Sequence, residues 1–515
     1  MPAARPVIAA VLLVLVGTPA APGAVHYLTP ADDWFDVLNG AGLQPGDEVI
    51  LAAGVYSDVR RMSVRHQGTE AAPIVIRAAE GAVAVITRPD ANQNVMNIEG
   101  ARYLALRDVE VTGGSHGIRI NKNASGDQAK FITIERCHVH HVGGPAITCN
   151  QGNNVYEGMV FRRNHIHTSG YGEGFYLGND SGTSPFFDAV VEKNYIHDLP
   201  TGDGIELKQG CYNTIVRDNV IHDVHLPGVI VHGAAGGGRN LIERNVIWNI
   251  DDNGIQATAD AVIRNNLVFN TGGDLFNSHD KSGAVVGNFD LLHNTFISEA
   301  GGIGVRISAP AGGVISGPVN VANNAVHADS PFLIYAAGVN RTGNVVSTDL
   351  SADFADAGNH DAFPIPGSAL IGAGNVAYVV VEDFNGTPRG GVADAGAYLY
   401  DPNGNPGWEI APGFKVIPIP AGDANVDGCV DGLDYVIWGN NYLTGTIWKQ
   451  ANFNDDSITD GLDYIIWSNN YLAGCPGVPG AVPEPATLSL LAVGWLALIR
   501  RRSAQVIRRK GQALA

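Results

Sequence analysis

The chain is poor in charge, and positive charge is the scarcer kind. Charged residues make up 16% of the 515 residues, and 32 lysines and arginines stand against 51 aspartates and glutamates, for a formal net charge of −19. A nucleic-acid partner is not expected, because it would need a basic surface. The sequence also lacks long amphipathic stretches, which argues against a helical-repeat protein. Its 65 glycines favour an all-β fold, with tight turns between short strands.

Cysteine is scarce as well. The sequence has 5 cysteines, and an odd number leaves at least one thiol unpaired. Cys137, Cys149 and Cys211 lie in strand-like segments, and we expect them to be buried free thiols. Cys429 and Cys475 flank a small repeat near the C-terminus, and an oxidising compartment would permit a disulfide between them.

Both ends of the sequence have the features of targeting segments. Residues 1–24 combine Arg5, an apolar run and small residues, which predicts a signal peptide and a mature chain that starts near Val25. Near the other end, a Pro-Glu-Pro motif after Val482 precedes an apolar stretch, residues 486–499, and three arginines. The stretch is shorter than the roughly 20 residues that span a bilayer. Residues 486–515 resemble the PEP-CTERM sorting tail, which implies sorting machinery at the membrane, transient anchoring there, and a secreted or cell-surface location.

A repeated asparagine unit runs through the middle of the chain. Its copies begin at positions separated by 30, 25, 26, 21 and 28 residues, namely Asn164, Asn194, Asn219, Asn245, Asn266 and Asn294. Short β-branched strands with this period predict a β-solenoid. The first five asparagines are predicted to lie at turns, where they tolerate left-handed backbone and bond neighbouring coils. His167, His197 and His222, which end three copies, are interpreted as turn or packing residues and not as a metal site.

The segment before the repeats has its own pattern. Residues 32–43 are predicted to form a short helix, and the segment from Pro45 to Tyr56 is predicted to be a turn and first strand. Together with the Ala-Pro-Ile-Val-Ile-Arg segment that begins at Ala72, this start resembles right-handed parallel β-helix proteins of the pectate-lyase-like group, especially the chondroitinase B and alginate lyase family. The resemblance covers residues 25–400 and implies a right-handed parallel β-helix with an N-terminal cap.

Five strand segments can be aligned by a shared glycine, which places their outward side chains in columns. Because stacked strands lie about 4.8 Å apart, we expect the polar members of these columns to share one exposed patch. One column holds Arg119, Tyr176, Glu206, Ile230 and Gln256, the next holds Asn121, Gly178, Lys208, His232 and Thr258, and the strand entrance holds His116, Glu173, Asp203 and Pro227.

The patch contains the groups that β-elimination of a uronic-acid polymer needs. Glu173, Asp203 and Glu206 are predicted calcium ligands. Lys208 is the predicted base, if neighbouring cation charge lowers its pKa. Proton donors and a substrate ligand are assigned to three further side chains: His232 or Tyr176 as donor, and Arg119 as ligand of a substrate carboxylate.

The Glu206-x-Lys208 pair resembles the glutamate and lysine of the chondroitinase B and alginate lyase family. That family also uses an arginine on the coil after the lysine, where this sequence has Ile230 and His232. Three functions remain open: a lyase of an acidic polysaccharide, a uronan C5-epimerase, which removes the same proton, and a non-catalytic glycan-binding or envelope structural protein.

A duplicated calcium-loop pattern occupies residues 421–475, between predicted linkers at 401–420 and 476–485. The spacing 1, 3, 5, 9 and 12 of calcium ligands recurs twice, with a helix predicted after each loop. The pattern resembles dockerin modules, which implies a cohesin-like partner, with a calcium-stabilised spacer as the alternative. The second loop has Asn at its first position and Ser457 in place of glycine, so weaker binding is expected there. The predicted ligands are Asp423, Asn425, Asp427, Asp431 and Asp434, then Asn452, Asn454, Asp456, Asp460 and Asp463.

Overall fold

The structure is a computed structural model that describes residues 23–309, 313–416, 420–425, 429–445, 450–454 and 458–473. Residues 1–22 of the predicted signal peptide, the 476–485 linker and the 486–515 tail lie outside the described residues, as do Asp427, Asp456 and Cys475. Among the described residues, none of the helices has the length and apolar character needed to cross a membrane.

The contacts divide the chain into two compact units. The first unit extends to Val380 and also includes Ala393–Asn405 and Glu409–Lys415. The second unit consists of Val381–Val392, Pro406–Trp408 and the described residues from Val416 onward. Part of the predicted 401–420 linker therefore belongs to the first unit.

Three parallel sheets form the first unit, and each coil passes through sheet 1, then sheet 3, then sheet 2. Sheet 1 contains Val25–Leu28, Glu48–Leu51, Ile74–Ala78, Arg102–Arg107, Lys130–Glu135, Val160–Arg162, Val190–Glu192, Ile215–Arg217, Asn240–Glu243, Ala259–Arg264, Gly287–Leu292, Val319–Ala322 and Val339–Thr342. Sheet 2 contains Ser63–Val64, Met96–Glu99, Ile118–Asn121, Ile147–Cys149, Phe175–Leu177, Ile205–Leu207, Val229–Val231, Ile255–Ala257, Phe276–Ser278, Ile303–Ile307 and Ser330–Ile334. Sheet 3 contains Gly54–Ser57, Ala84–Arg88, Glu110–Gly113, His138–Val142, His165–Ser169, Tyr195–Leu199, Val220–Val224, Val246–Ile250, Leu267–Thr271, Thr295–Ile297, Ala325–His327 and Val345–Val346. This architecture is the predicted right-handed parallel β-helix.

Smaller elements complete the described chain. They are the paired strands Tyr156–Glu157 with Phe186–Phe187 and Phe354–Asp356 with Asp361–Pro364, the helices Trp34–Leu38, Leu350–Asp353, Gly432–Asn441 and Gly461–Asn469, and the 3-10 turns Ala357–Asn359 and Val376–Tyr378.

A single apolar core runs through the interior of the coils. Alternation along each strand turns every second side chain inward, so Ile205 and Leu207 are fully buried, as the sequence predicted. The predicted free thiols of Cys137, Cys149 and Cys211 are confirmed, and all three lie in this core. Burial keeps them inert, since it raises the pKa of the Cys211 thiol to about 12.

The N-terminal cap is shorter than the sequence suggested. The helix spans Trp34–Leu38 instead of residues 32–43, and it buries Trp34, Phe35 and Leu38 against the first coils. It ends because Asn39 is extended and Gly40 has a left-handed φ of +101°. The segment predicted as a turn and first strand contains two strands, Glu48–Leu51 and Gly54–Ser57, and an earlier strand, Val25–Leu28, precedes the helix.

The turn asparagines form a hydrogen-bonded ladder that links successive coils. Asn194 donates its backbone N–H and its Nδ2 to Oδ1 of Asn219, at 3.0 and 2.9 Å, and Asn219 donates in the same way to Asn245. The ladder continues beyond the five predicted members to Asn294, Asn324 and Asn344. The predicted bonding between coils is confirmed.

The left-handed backbone of these turns lies one residue earlier than predicted. Lys193 and Asp218, which precede Asn194 and Asn219, have φ values of 54° and 55°. The asparagine itself stays out of that region, because its backbone N–H must point along the ladder.

Replacing Asn219 by alanine is expected to lower the free energy of unfolding by about 3–5 kcal/mol. The change removes the acceptor of both Asn194 bonds and the Nδ2 donor to Val191 and Asn245, all in a fully buried position. Urea unfolding checks the loss, and Asn92→Ala, at an exposed position, serves as the control. Equal stability of the two variants would contradict the role of the ladder.

A buried ion pair attaches the end of the first unit to the coils. The Lys415 Nζ lies 3.0 Å from Oδ1 of Asp218, and Arg244 Nη2 lies 3.1 Å from Oδ2. Burial alone would raise the pKa of Asp218, but the charges of Lys415 and Arg244 outweigh it and lower that pKa to about 2.

Asp218 is expected to make the free energy of unfolding depend on pH in the acidic range. Its folded pKa lies below the ordinary 3.8, so its contribution, about 2 kcal/mol, is complete above pH 4 and is lost as the pH falls toward 2. Asp218→Asn should therefore unfold more easily than the wild type at pH 6, and the difference should shrink by about that amount at pH 2.5. Asp188→Asn, at an exposed position that also has a left-handed φ, is the control. A pH-independent difference would rule out this coupling.

The helices of the second unit follow the two predicted calcium loops. Gly432–Asn441 begins after Asp431, and Gly461–Asn469 begins after Asp460. Each helix donates a tryptophan indole to the carbonyl oxygen of the other helix's capping aspartate, Trp438 to Asp460 at 2.7 Å and Trp467 to Asp431 at 2.9 Å. The duplicated sequence thus forms a reciprocal pair.

Candidate active site

The predicted outward column lies on sheet 2. Strand registers pair Tyr176 with Glu206, Glu206 with Ile230, and Ile230 with Gln256, as the alignment predicted. One coil was missed, however, because Thr148 lies between Arg119 and Tyr176. Its strand, Ile147–Cys149, follows Ala146 where the other coils have glycine. Arg119 therefore lies two coils from Tyr176, about 10 Å along the helix axis.

Lys208 and Glu206 are at the centre of the site. The Lys208 Nζ contacts Oε1 of Glu206 at 2.6 Å and lies 4.9 Å from the centre of the Tyr176 ring. On the next coil, Nε2 of His232 lies 3.3 Å from the same Glu206 oxygen. The structure thus brings the predicted base, one predicted ligand and both predicted proton donors into one cluster.

Sequence reasoning missed Asp180, which completes this cluster. Its Oδ1 lies 3.1 Å from the Lys208 Nζ and 3.9 Å from Nδ1 of His232, and it accepts a hydrogen bond from Ser282 at 3.2 Å. Asp180 follows the strand Phe175–Leu177 by three residues. Its position in a turn just beyond an aligned strand was the available signal.

The centre of the cluster is buried, whereas an exposed patch was predicted, and only Asp180 at its edge is largely exposed, at 62% of its side chain. Glu206 is 3% exposed, and the His232 side chain is fully buried. Part of the cover comes from the turn at 281–284, since Ser282 bonds Asp180 and Ala284 closely approaches Gly233. A Cβ added at Gly233 would lie 3.1 Å from the Cβ of Ala284, so glycine allows this approach. Glu206 and Lys208 are therefore not an ordinary surface ion pair.

The three predicted calcium ligands of sheet 2 converge. Glu173, Asp203 and Glu206 each offer a carboxylate oxygen within 4.8 Å of the others. Burial, followed by the charges of Glu206 and Glu173, raises the pKa of Asp203 well above its ordinary value. In the described part of the chain, the buried Oε2 of Glu206 has no hydrogen-bond partner. These carboxylates repel one another, and one of their oxygens has no partner, so the group suits a hard cation such as calcium.

The pKa of Lys208 shifts in the direction opposite to that required of a base. Burial alone would lower it, but the charge of Glu206 and its hydrogen bond raise the pKa above the ordinary value. Lys208 is therefore protonated where it contacts the Glu206 carboxylate. The expected lowering requires neutralisation of that charge.

Other groups on this sheet differ in their protonation. Burial, followed by the Arg119 charge, lowers the pKa of His116 to about 4, so this imidazole is neutral at pH 7. Burial raises the pKa of the Tyr176 hydroxyl, which therefore keeps its proton. Both can act as hydrogen-bond donors to a sugar.

No arginine takes the position on the coil after Lys208. Arg217 and Arg239 lie off sheet 2, as the alignment indicated, and they pair with Glu192 and Asp290. Within the described residues of sheet 2, Arg306 comes four coils later than Glu206 and forms two bonds with Asp274.

The fold and this cluster define the class: a right-handed parallel β-helix with an acid and base cluster on one sheet. The chain matches the family model of the right handed beta helix region over residues 94–229 and 157–326, and that of chondroitinase B over 39–141. Residues 481–503 match the PEP-CTERM protein-sorting motif.

Curated relatives are similar over short segments. Mannuronan C5-epimerase AlgE1 of Azotobacter vinelandii is 30% identical over 129 residues, which is 24% of this chain and 8% of that protein. AlgE5 of the same organism is 29% identical over 138 residues, or 25% and 12% of the two chains. The chain thus spans about a tenth of the length of these relatives.

Among solved structures, pectate lyase Pel9A has a TM-score of 0.46 at 15% identity, covering 74% of this chain and 97% of that one. A mannuronic acid specific polysaccharide family 6 lyase from human gut microbiota has a TM-score of 0.40 at 17% identity, covering 64% and 88%.

Proposed function

We propose that the β-helix acts on an acidic polysaccharide and cleaves a uronic-acid polymer by β-elimination at the Lys208 cluster. The observation that carries this proposal is the contact of one buried carboxylate, Glu206, with both Lys208 and His232 beside two further acids. Buried ionisable groups whose pKa values are shifted by specific charged neighbours are concentrated at functional sites.

In this reaction a base removes the proton from the sugar carbon that bears the carboxylate. The released electron pair forms a carbon–carbon double bond, the glycosidic bond breaks, and the leaving oxygen takes a proton. Lys208 is the base, and it becomes basic once the Glu206 charge is neutralised. Tyr176 or His232 supplies the second proton.

Glu173, Asp203 and Glu206 are proposed to hold calcium, which when bound would offset the substrate carboxylate and acidify the adjacent C–H. Arg119, about three coils from Glu206, is proposed to bind another carboxylate of the same polymer. A cation is needed at this site for a second reason: the protein and its substrate are both acidic.

A uronan C5-epimerase is the second candidate, favoured by the segments that resemble mannuronan C5-epimerases. Epimerisation starts with the same proton removal but returns a proton to the opposite face of the carbon. Lys208 and Tyr176 are then the candidate groups for the two transfers.

The test is incubation of the full chain with polymannuronate, polygalacturonate and chondroitin in the presence of calcium. A lyase produces unsaturated uronates, detected by ultraviolet absorbance. An epimerase changes the uronate composition in proton NMR without shortening the polymer. Retention on a glycan column with neither product would overturn the catalytic proposal in favour of a binding protein.

The second unit is proposed to bind calcium through its two loops. Asp434 and Asp463 already accept backbone N–H groups of their own loops, which shapes each loop around a carboxylate. The side chain of Asn452 is buried, and within the described residues its amide has no partner. The other loop ligands, docking to a cohesin-like protein, and the spacer alternative remain predictions.

Export to the cell surface is proposed from the two ends of the chain. The PEP-CTERM motif supports sorting at the membrane, and the predicted signal peptide would direct the chain there.

A further inference from the structure

Sheet 3 carries a stack of imidazoles that the proposed reaction does not use. We define the histidine array as His138, His140, His165, His167, His197 and His222. The strand register places His138 beside His165, and His140 beside His167. His197 continues the second column and lies between His167 and His222. The rings stack closely, with centroids 5.1 Å apart for His140 and His167.

Diagonal contacts connect the two columns of the array. The Nε2 atoms of His138 and His167 lie 2.9 Å apart, and those of His165 and His197 lie 2.8 Å apart. The same diagonal at the two ends of the array joins unlike groups: Glu110 contacts His140 at 3.1 Å, and Tyr195 contacts His222 at 3.0 Å. The end diagonals thus pair an imidazole with an oxygen, whereas the middle diagonals pair two imidazoles.

Two facing imidazole nitrogens are a natural pair of metal ligands. A neutral imidazole has one bare nitrogen, and a metal ion binds that atom. Tetrahedral zinc with Zn–N bonds of about 2.0–2.1 Å holds two nitrogens roughly 3.3 Å apart. The His138 and His167 nitrogens need to separate by only a few tenths of an ångström to reach that distance.

A third ligand and its support are also present. His138, His140 and His167 each offer a ring nitrogen within 4.8 Å of the other two. The Glu110 carboxylate contacts the His140 ring, and a carboxylate in this position is the kind of partner that orients a metal-binding imidazole. Burial, followed by the charges of neighbouring histidines, lowers the pKa of His138 and His167 to about 4, so both are neutral at pH 7.

We propose that His138, His140 and His167 form a zinc site on sheet 3. Three imidazoles leave a fourth position on zinc for water or a ligand. Imidazole nitrogens suit zinc, whereas the calcium ion proposed at sheet 2 prefers oxygen ligands. The interpretation of His167 as a packing residue was drawn from its own repeat unit. The neighbours that make it a ligand come from the coil before, where His138 and His140 occupy both outward positions.

The experiment is a calorimetric titration of Zn²⁺ into the full chain, free of any affinity tag and saturated with calcium. One equivalent should bind, and Co²⁺ in its place should give the intense visible absorption of a tetrahedral site. His167→Ala should weaken this binding by at least about 100-fold, and His140→Gln should do the same as a second variant. His225→Ala, at a half-exposed histidine paired with Asp251 outside the array, should leave the binding unchanged.

Circular dichroism and thermal unfolding would establish that the variants are folded. Zinc affinity that is equal in the wild type, His167→Ala and His140→Gln would overturn the proposal, as would the absence of any submillimolar binding. Either result would leave the array as packing alone, and neither bears on the proposed elimination at sheet 2.

Discussion

Replacement of Lys208 by alanine is expected to reduce elimination of uronic-acid polymers by about 10²–10⁴-fold, the usual range for loss of a general base. The loss should appear in kcat, because the proposed base acts on the proton in the transition state. Initial rates of unsaturated uronate formation measure the effect on whichever polymer the wild type cleaves.

Two variants separate catalysis from structure. Lys208→Arg retains the positive charge beside Glu206 and Asp180 but cannot lose a proton at neutral pH, so it should be as inactive as the alanine variant while remaining fully stable. Lys193→Ala, in a turn next to the asparagine ladder, should retain full activity. Wild-type rates in Lys208→Arg would assign the lysine a purely electrostatic role.

The substitution Glu206→Gln is expected to lower kcat by about 100-fold and to remove one equivalent of bound calcium. Glutamine keeps the shape of the side chain but loses the charge that meets Lys208 and His232 and that completes the carboxylate trio. Calcium binding by the proposed loops of the second unit should be unaffected, since these loops lie in a different part of the chain.

Equilibrium dialysis with calcium and the rate assay give the two readouts. Glu192→Gln is the matched control, because that carboxylate pairs with Arg217 on sheet 1 and lies outside the trio. Unchanged calcium stoichiometry in Glu206→Gln would remove Glu206 from the metal site, and an unchanged rate would remove it from the reaction.

The repeat pattern predicted the fold because one physical requirement recurs in every coil. Each asparagine fills the same buried turn position, so the spacing between successive asparagines gives the length of each coil. The alternation of apolar and polar residues, as from Ile205 to Leu207, shows which side chains face inward. The alignment failed at one coil, where Ala146 replaces the aligned glycine. The distance from Arg119 to the other groups was therefore underestimated.

The site was harder to predict where loops contribute. Asp180 and Ser282 are 102 residues apart in sequence, and their contact depends on the course of two turns that no repeat specifies. The burial of Glu206 and the raised pKa of Lys208 follow from this cover and from side-chain contacts. Patterns in the strands located the cluster, but they could not show how it is enclosed.

The asparagine ladder has a consequence for how such a protein changes in length. Each rung bonds only the rungs directly before and after it, and all of them do so in the same direction, from donor amide to the next oxygen. The ladder itself therefore accommodates the insertion or deletion of a whole coil wherever no contact between distant turns, such as that of Asp180 with Ser282, is interrupted. Duplication can therefore lengthen the stack of coils, whereas the insertion of a fraction of a coil would break the column of asparagines.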